Sequence, residues 1–337
     1  VETGHCPAAM FVLGAGSLGC LWAGRLAARS PKSFHFQENV TLLLRCGSKK
    51  SQALQSGSNA RIRITPSSKE NVEAFEVDVR AEEVTASGDI QKLLLVTKAA
   101  AAAEALLQVS PRLKAGAVVV LLCNGALALH EQINEMPAVR HSYLMLGLTT
   151  HGAWSKADFD IVHAGVGHTS FGKYQSSIPE ALYQSTLQHL QSAGLGGTDD
   201  PKIERSLWLK LAANAAINPI TALLEKPNGF ILETETQEQI TQVCREVAAV
   251  ADAVWKEKGF ESVCPSAVDM KEFATETARQ TANNRSSMLQ DILAQRPTEI
   301  GYINGWVVQK ADFFGIDVPE NARLTSLVKQ KESQQEE

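Results

Sequence analysis

Short apolar runs separated by helical stretches mark the first half of the chain. Met10–Leu13, Leu93–Val96 and Val118–Leu122 are each continuously apolar, and Val40–Leu44 is apolar apart from Thr41. Strands buried on both faces have this pattern, and their alternation with helical segments such as Leu18–Ala28 and Ala99–Leu107 predicts a parallel sheet covered by helices. Between Ser56 and Val84 the pattern changes to strict alternation, RIRI and then FEVDV, which predicts a small hairpin. HSYLMLGLTTHGAW, DFDIVHAG and VGHTSFGKY read as further strands, and Ile178–Ala193 as a helix. From Asp199 onward strand signals vanish. Helical periodicity covers Pro201–Leu224, Thr234–Lys258, Ala267–Ala282 and Pro297–Phe314. The Gly-rich polar stretch GLGGTDDP, residues 194–201, marks a boundary. The expected architecture is therefore an α/β domain over 1–198 followed by an all-α domain over 199–337, with the charged tail KQKESQQEE frayed.

The first apolar run leads directly into GAGSLG, residues 14–19. Gly14, Gly16 and Gly19 fall in G-x-G-x-x-G spacing between a strand and a helix, the context that gives this pattern meaning. Gly14 permits the sharp turn, Gly16 lets a pyrophosphate approach the backbone, and Gly19 lets the helix pack on the strand. The free N–H groups of the helix start then face an anion. The first domain thus reads as a Rossmann-type dinucleotide-binding fold, with Ala15, Ser17 and Leu18 completing the phosphate turn. In the NAD form of this fold an acidic residue ends the second strand. Here that position holds Arg45, whose planar fork suits a 2′-phosphate and favours NADP; the plainer alternative is a surface arginine at a strand end. The preceding loop, RSPKSFHFQEN, is longer than usual. Lys98 follows the LLLVT strand and Asn124 follows VVVLLC, both at strand ends that border the ligand crevice in this fold. Each also has a local explanation, a helix-start lysine and an Asn-Gly turn.

Composition narrows the class. The chain has 337 residues, 44% hydrophobic and 20% charged, with a formal charge of −5. No Lys/Arg run suggests a nucleic-acid surface, and no stretch approaches the apolar length that spans a bilayer. The start, VETGHCPAAM, lacks the basic and apolar regions of a secretory signal. Cys6, Cys20, Cys46, Cys123, Cys244 and Cys264 form no C-x-x-C pair and have no histidine in zinc-ligand spacing, so no metal site is expected. Cys20 and Cys123 read as small buried hydrophobes. This usage suits a reducing compartment, and the cytoplasm is the expected location.

The second domain carries its own chemistry. In SLWLKLAANAAINPITALLEKPNG, Lys210, Asn214 and Asn218 lie at i, i+4 and i+8, on one broad helical face among alanines. Buried polar groups need partners, which a substrate with a carboxylate and a hydroxyl would supply; otherwise this is a helix with a few exposed polar residues. Pro219 is expected to bend or interrupt the helix. Further on, NNRSSMLQDILAQRPTEIGYINGWVVQKA presents Ser286, Ser287 and Glu299. Arg296-Pro297-Thr298 reads as a helix start, which puts Glu299 in its first turn, where a carboxylate also compensates the helix dipole. His151, in TTHGAW, is a weak candidate base.

Together these segments resemble the ketopantoate reductase (2-dehydropantoate 2-reductase) family over nearly the whole chain, from GAGSLG to PENARLTSLVKQKE. The segments K-LAANAAINPITAL--KPNG and NRSSMLQDILAQRPTEI-YINGWV carry most of the likeness. The resemblance implies NADPH-dependent reduction of ketopantoate to (R)-pantoate in pantothenate biosynthesis. It implies that Lys210 is the catalytic proton donor and that Glu299 contacts cofactor and substrate. It also implies substrate contacts from Asn214, Asn218, Asn228 and the stretch Asn284 to Ser287, with Ser286 and Ser287, and NADP contacts from Gly14 to Gly19, Arg45, Lys98, Asn124 and Ala153. The insert around residues 30–39 and the leading nonapeptide depart from the family pattern. A same-family reductase of another 2-oxo acid is the first alternative, and a non-catalytic NADP(H) sensor the second. Monomer and homodimer are both open.

Overall fold

The apolar run at the start forms β1 (Met10–Leu13), which pairs in parallel with β2 (Val40–Leu44) on one side and β5 (Ile90–Leu95) on the other. The computed structural model describes residues 9–28, 40–54, 59–66, 73–174, 177–259 and 263–334. Cys6 and the insert at 30–39 lie outside these residues. The chain divides into two compact units, Val1–Ile203 and Glu204–Glu337.

In the first unit, α1 (Ser17–Ala28) follows β1, and α2 (Lys49–Ala53) follows β2. Then come β3 (Asn59–Thr65), β4 (Phe75–Glu83), β5, α3 (Ala99–Val109), β6 (Leu113–Leu121), α4 (Ala126–Asn134) and β7 (Tyr143–Thr149). The unit closes with β8 (Gly152–Ala157), β9 (Asp160–Gly165), β10 (Thr169–Gly172), α5 (Glu180–Gln191) and the short β11 (Thr198–Asp199). All the described strands join one 11-stranded sheet in the order β11-β10-β7-β6-β5-β1-β2-β4-β3-β9-β8.

The strands from β4 through β2, β1, β5 and β6 to β7 run parallel. Beyond them the pairing turns antiparallel at β3–β4, β8–β9 and β7–β10. The sheet is therefore mixed around the parallel core that the apolar runs predict. The alternating RIRI and FEVDV segments do pair as a hairpin, but β4 also adds in parallel to β2, so the hairpin extends the main sheet rather than standing apart.

Helix α1 packs on this sheet through Leu21, Trp22 and Leu26. Burying each such side chain stabilises the fold by about 1.5–3 kcal/mol. Gly24 sets the closeness of that packing, because a Cβ there would lie 2.7 Å from Ile64 Cδ1. Cys20 is buried as expected, whereas Cys123, at the strand end, is only half-buried.

In the second unit every described element is helical: α6 (Ile203–Leu224), α7 (Gln237–Lys258), α8 (Ala267–Gln280), α9 (Ser287–Leu293), α10 (Asn304–Phe314) and α11 (Pro319–Ser333). Three expectations change here. The segment 297–314 is not one helix: Ile300–Tyr302 makes a single 3-10 turn, Ile303 breaks the path at φ −109°, ψ −97°, and α10 starts afresh at Asn304. The tail is helical as far as Ser333 rather than frayed from Lys329. Lastly, α6 is long and apolar enough to cross a membrane by length and composition, with a mean hydropathy of 1.3, although 72% of that window is buried in the protein.

Pro219 does not end α6. A proline lacks the N–H that would bond the carbonyl four residues back. That carbonyl belongs to Ala215, and the Asn304 Nδ2 group donates to it instead at 3.0 Å.

Candidate active site

In the first unit the candidate dinucleotide site lies where the strand order reverses, between β1 and β5, the place at which open α/β sheets hold their ligands. Gly14 has φ +117°, and a Cβ there would meet the Val96 carbonyl group at 2.9 Å, so only glycine fits the turn beside the end of β5. A Cβ on Gly19 would overlap the Gly14 carbonyl oxygen. Gly16 is different: nothing lies within 4 Å of its would-be Cβ, which leaves open space over the backbone at the start of α1. These are the shapes a diphosphate requires.

Beside the turn is a cavity of about 520 Å³, lined by Gly14 and Ala15, by Arg45, Ser48, Lys49 and Lys50 after β2, and by Thr97, Glu104 and Gln108 from the β5–α3 side. Arg45 is exposed and follows Leu44, the last residue of β2. Among the described residues the buried Thr97 Oγ1 has no hydrogen-bond partner. Burial pushes the Cys20 thiol up to about 11, so it stays neutral as it donates to the Ala15 carbonyl at 3.5 Å. At the rim, the Gly47 N–H donates to Glu83 at 3.0 Å and is the leading cause of its lowered pKa.

Of the other expected cofactor contacts, Ala153 lies on β8, a strand brought against α1 by a 3.0 Å hydrogen bond between the Ser17 and Ser155 hydroxyls. Asn124 stands at the end of β6, before Gly125, which opens α4 at φ 66°. Lys98 is exposed and precedes α3 without a side-chain cap bond. Neither residue lines the cavity.

His151 is not an available base. Gly167 N–H donates to its Nδ1 at 3.1 Å, His163 Nε2 lies 2.9 Å from the same atom, and its Nε2 reaches the Leu195 carbonyl at 3.0 Å. Since Nδ1 accepts from Gly167, the network assigns the proton to Nε2. Both histidines are buried, with Arg25 against His163 Nδ1 at 3.4 Å.

The sequence pattern did not single out Ser48, Lys49 and Lys50, yet they line the cavity with Arg45. The signal was present: the run RCGSKK follows β2 at once and concentrates cations there.

The helical unit carries a separate set of candidate residues. Lys210 and Asn214 are half-buried on α6 and Asn218 is buried. Thr221, on the next turn, donates to Ser286 Oγ at 2.8 Å, which ties α6 to the start of α9. Ser286 Oγ also accepts from Leu289 N–H at 3.1 Å, so this buried serine caps α9, while Ser287 is exposed beside it. Asn228 follows the end of α6. Its N–H donates to the Asn284 carbonyl at 2.8 Å and its Nδ2 to Thr281 Oγ1 at 3.0 Å, while its buried Oδ1 has no partner among the described residues. Asn228 is thus tied to Asn284, while the Asn218 carbonyl lies 3.2 Å from Thr221 Oγ1, the hydroxyl that reaches Ser286. Glu299 is buried, but it precedes the 3-10 turn rather than sitting in the first turn of a helix. Among the described residues, no group of three or more His, Cys, Asp or Glu could hold a metal ion.

A glycine turn at the reversal point of a parallel sheet, followed by a helical unit bearing a lysine and asparagines on one helix, defines a dinucleotide-dependent oxidoreductase. The family model for ketopantoate reductase PanE/ApbA matches residues 10–176, and that for the ketopantoate reductase PanE/ApbA C terminal matches 202–332. The chain belongs to the ketopantoate reductase family. It is 37% identical over 246 residues to 2-dehydropantoate 2-reductase from Shigella flexneri, covering 72% of this chain and 75% of that protein. A PanE/ApbA family ketopantoate reductase from Ralstonia eutropha JMP134 superposes with a TM-score of 0.77 at 23% identity, covering 97% of this chain and 100% of the other. D-Mandelate dehydrogenase, in a ternary structure with NADH and anilino(oxo)acetate, shares the fold with a TM-score of 0.79 at 18% identity over 97% of this chain and 100% of that one.

Proposed function

We propose that this chain is an NADPH-dependent 2-dehydropantoate 2-reductase, forming (R)-pantoate, with residues 1–198 binding the cofactor and 199–337 carrying the substrate chemistry. The observation that carries the cofactor half is the cavity beside Gly14 and Ala15, which gathers Arg45 and Lys49 after β2. A 2′-phosphate suits those cations. The relatives named 2-dehydropantoate 2-reductase support the substrate.

When bound, the reduced dinucleotide supplies the hydride that C2 of the oxo acid receives. Lys210 donates a hydrogen bond to the ketone oxygen and passes it a proton as negative charge builds there. Asn214, Asn218, Asn228, Asn284 and Ser287 orient the carboxylate and hydroxyl, which fixes the face of attack. Glu299 holds the substrate hydroxyl or the cofactor ribose. Ser286 supports this set chiefly as the cap that fixes α9. The enzyme works as a monomer or homodimer in the cytoplasm, a setting that suits the free thiols of Cys20, Cys46, Cys123, Cys244 and Cys264.

A substrate panel tests the assignment. NADPH consumption should be fast with ketopantoate and slow with bulkier 2-oxo acids; turnover only with another oxo acid would move the substrate, and NADPH binding without any turnover would favour the sensor alternative.

A further inference from the structure

We propose that Lys50 is a positioning residue of the dinucleotide site, bracing the glycine turn from the β2–α2 side. This rests on the dinucleotide assignment above. The Lys50 ammonium donates to the Ala15 carbonyl at 2.5 Å. It lies 3.7 Å from Asp158 Oδ1 and 5.1 Å from the centre of the Phe159 ring, both in the turn between β8 and β9. Phe159 is buried and has φ 60°. An L-residue pays to adopt that conformation, so surrounding contacts must hold the turn in place. One side chain thus joins three segments at the wall of the cavity.

The consequence follows from peptide planarity. The Ala15 C=O and the Gly16 N–H belong to the same trans peptide and point in opposite directions. Holding the Ala15 oxygen therefore fixes the direction of the Gly16 N–H, at the position where the backbone has open space. The ammonium also adds positive charge to the wall that already carries Arg45 and Lys49. Bracing acts at the diphosphate turn, common to both dinucleotides, whereas Arg45 acts where they differ.

The test is titration of the purified full-length protein with NADPH and with NADH. Lys50→Met keeps the stem on Phe159 and removes the charge and the donor. It should weaken both dinucleotides equally, by about 10- to 100-fold, as expected for loss of a hydrogen bond from a charged group. The kcat at saturating dinucleotide and the KM for the oxo acid should stay near wild type, a split that general loss of structure would not produce. Lys50→Gln, which keeps a donor without the charge, should fall between the two. Lys50→Met protein that binds both dinucleotides as tightly as wild type would overturn the proposal. Wild-type protein that binds neither would overturn the dinucleotide assignment and the proposal with it.

Discussion

Asn304 repairs the backbone bond that Pro219 removes. Its Nδ2 group donates to Ala215 O at 3.0 Å and to Asn321 Oδ1 at 2.9 Å. Asn321 Nδ2 in turn donates to Glu246 Oε2 at 2.8 Å, and the Glu246 carboxylate also accepts the N–H groups of Glu320 and Asn321 at the start of α11. All three side chains are buried. This relay lets α6 run unbroken from Lys210 through Asn218 to Leu224 despite its proline. Asn304→Ala leaves the Ala215 carbonyl and the Asn321 oxygen unpaired in the core. At about 1–3 kcal/mol for each unsatisfied group, the expected loss in urea denaturation is about 2–6 kcal/mol. A variant within about 0.5 kcal/mol of wild type, the range of a surface change, would show that the relay carries no weight.

Arg45 should decide between the two dinucleotides. It is exposed, so Arg45→Ala should leave stability unchanged. Loss of a charged hydrogen bond to the 2′-phosphate should weaken NADPH by about 10- to 100-fold and leave NADH alone. Equal weakening of both in a binding titration would remove Arg45 from the phosphate contact.

A pH dependence follows from His189 on α5. Burial, and then the charge of Lys92, push its pKa down to about 4. The folded protein therefore keeps His189 neutral where the unfolded chain, at about 6.5, would be protonated. Its contribution is fully present above pH ~6.5 and is lost as pH falls toward 4, because the unfolded state binds the extra proton. The loss should be about 2–3 kcal/mol, measured by denaturation across that range. His189→Gln should flatten this part of the profile; an unchanged slope would assign it to other groups.

The sequence pattern reveals most where a residue's local surroundings determine its structure. Met10–Leu13 and Val40–Leu44 are strands with those bounds because their apolar side chains are almost all buried. Gly14, Gly16 and Gly19 announce the phosphate turn because each answers a backbone requirement at its own position. What depends on distant partners is hidden. The continuity of α6 past Pro219 needs Asn304, 89 residues from Ala215. The joining of the β3–β4 hairpin to β2 depends on a pairing that alternation alone does not specify. Ser286 stands out in sequence, but only Thr221, 65 residues away, shows that its hydroxyl is already engaged. Lys50 lies in a visible run of cations, while its contact with Ala15 depends on how β2 and α1 are placed.

The most direct test is steady-state consumption of NADPH with ketopantoate by wild type and by Lys210→Ala. Wild type should turn over, and the variant, folded and still binding NADPH, should lose about 100- to 10,000-fold in kcat, the usual contribution of a positioned general acid. A folded Lys210→Ala protein with full turnover would contradict the assignment of Lys210 as the proton donor.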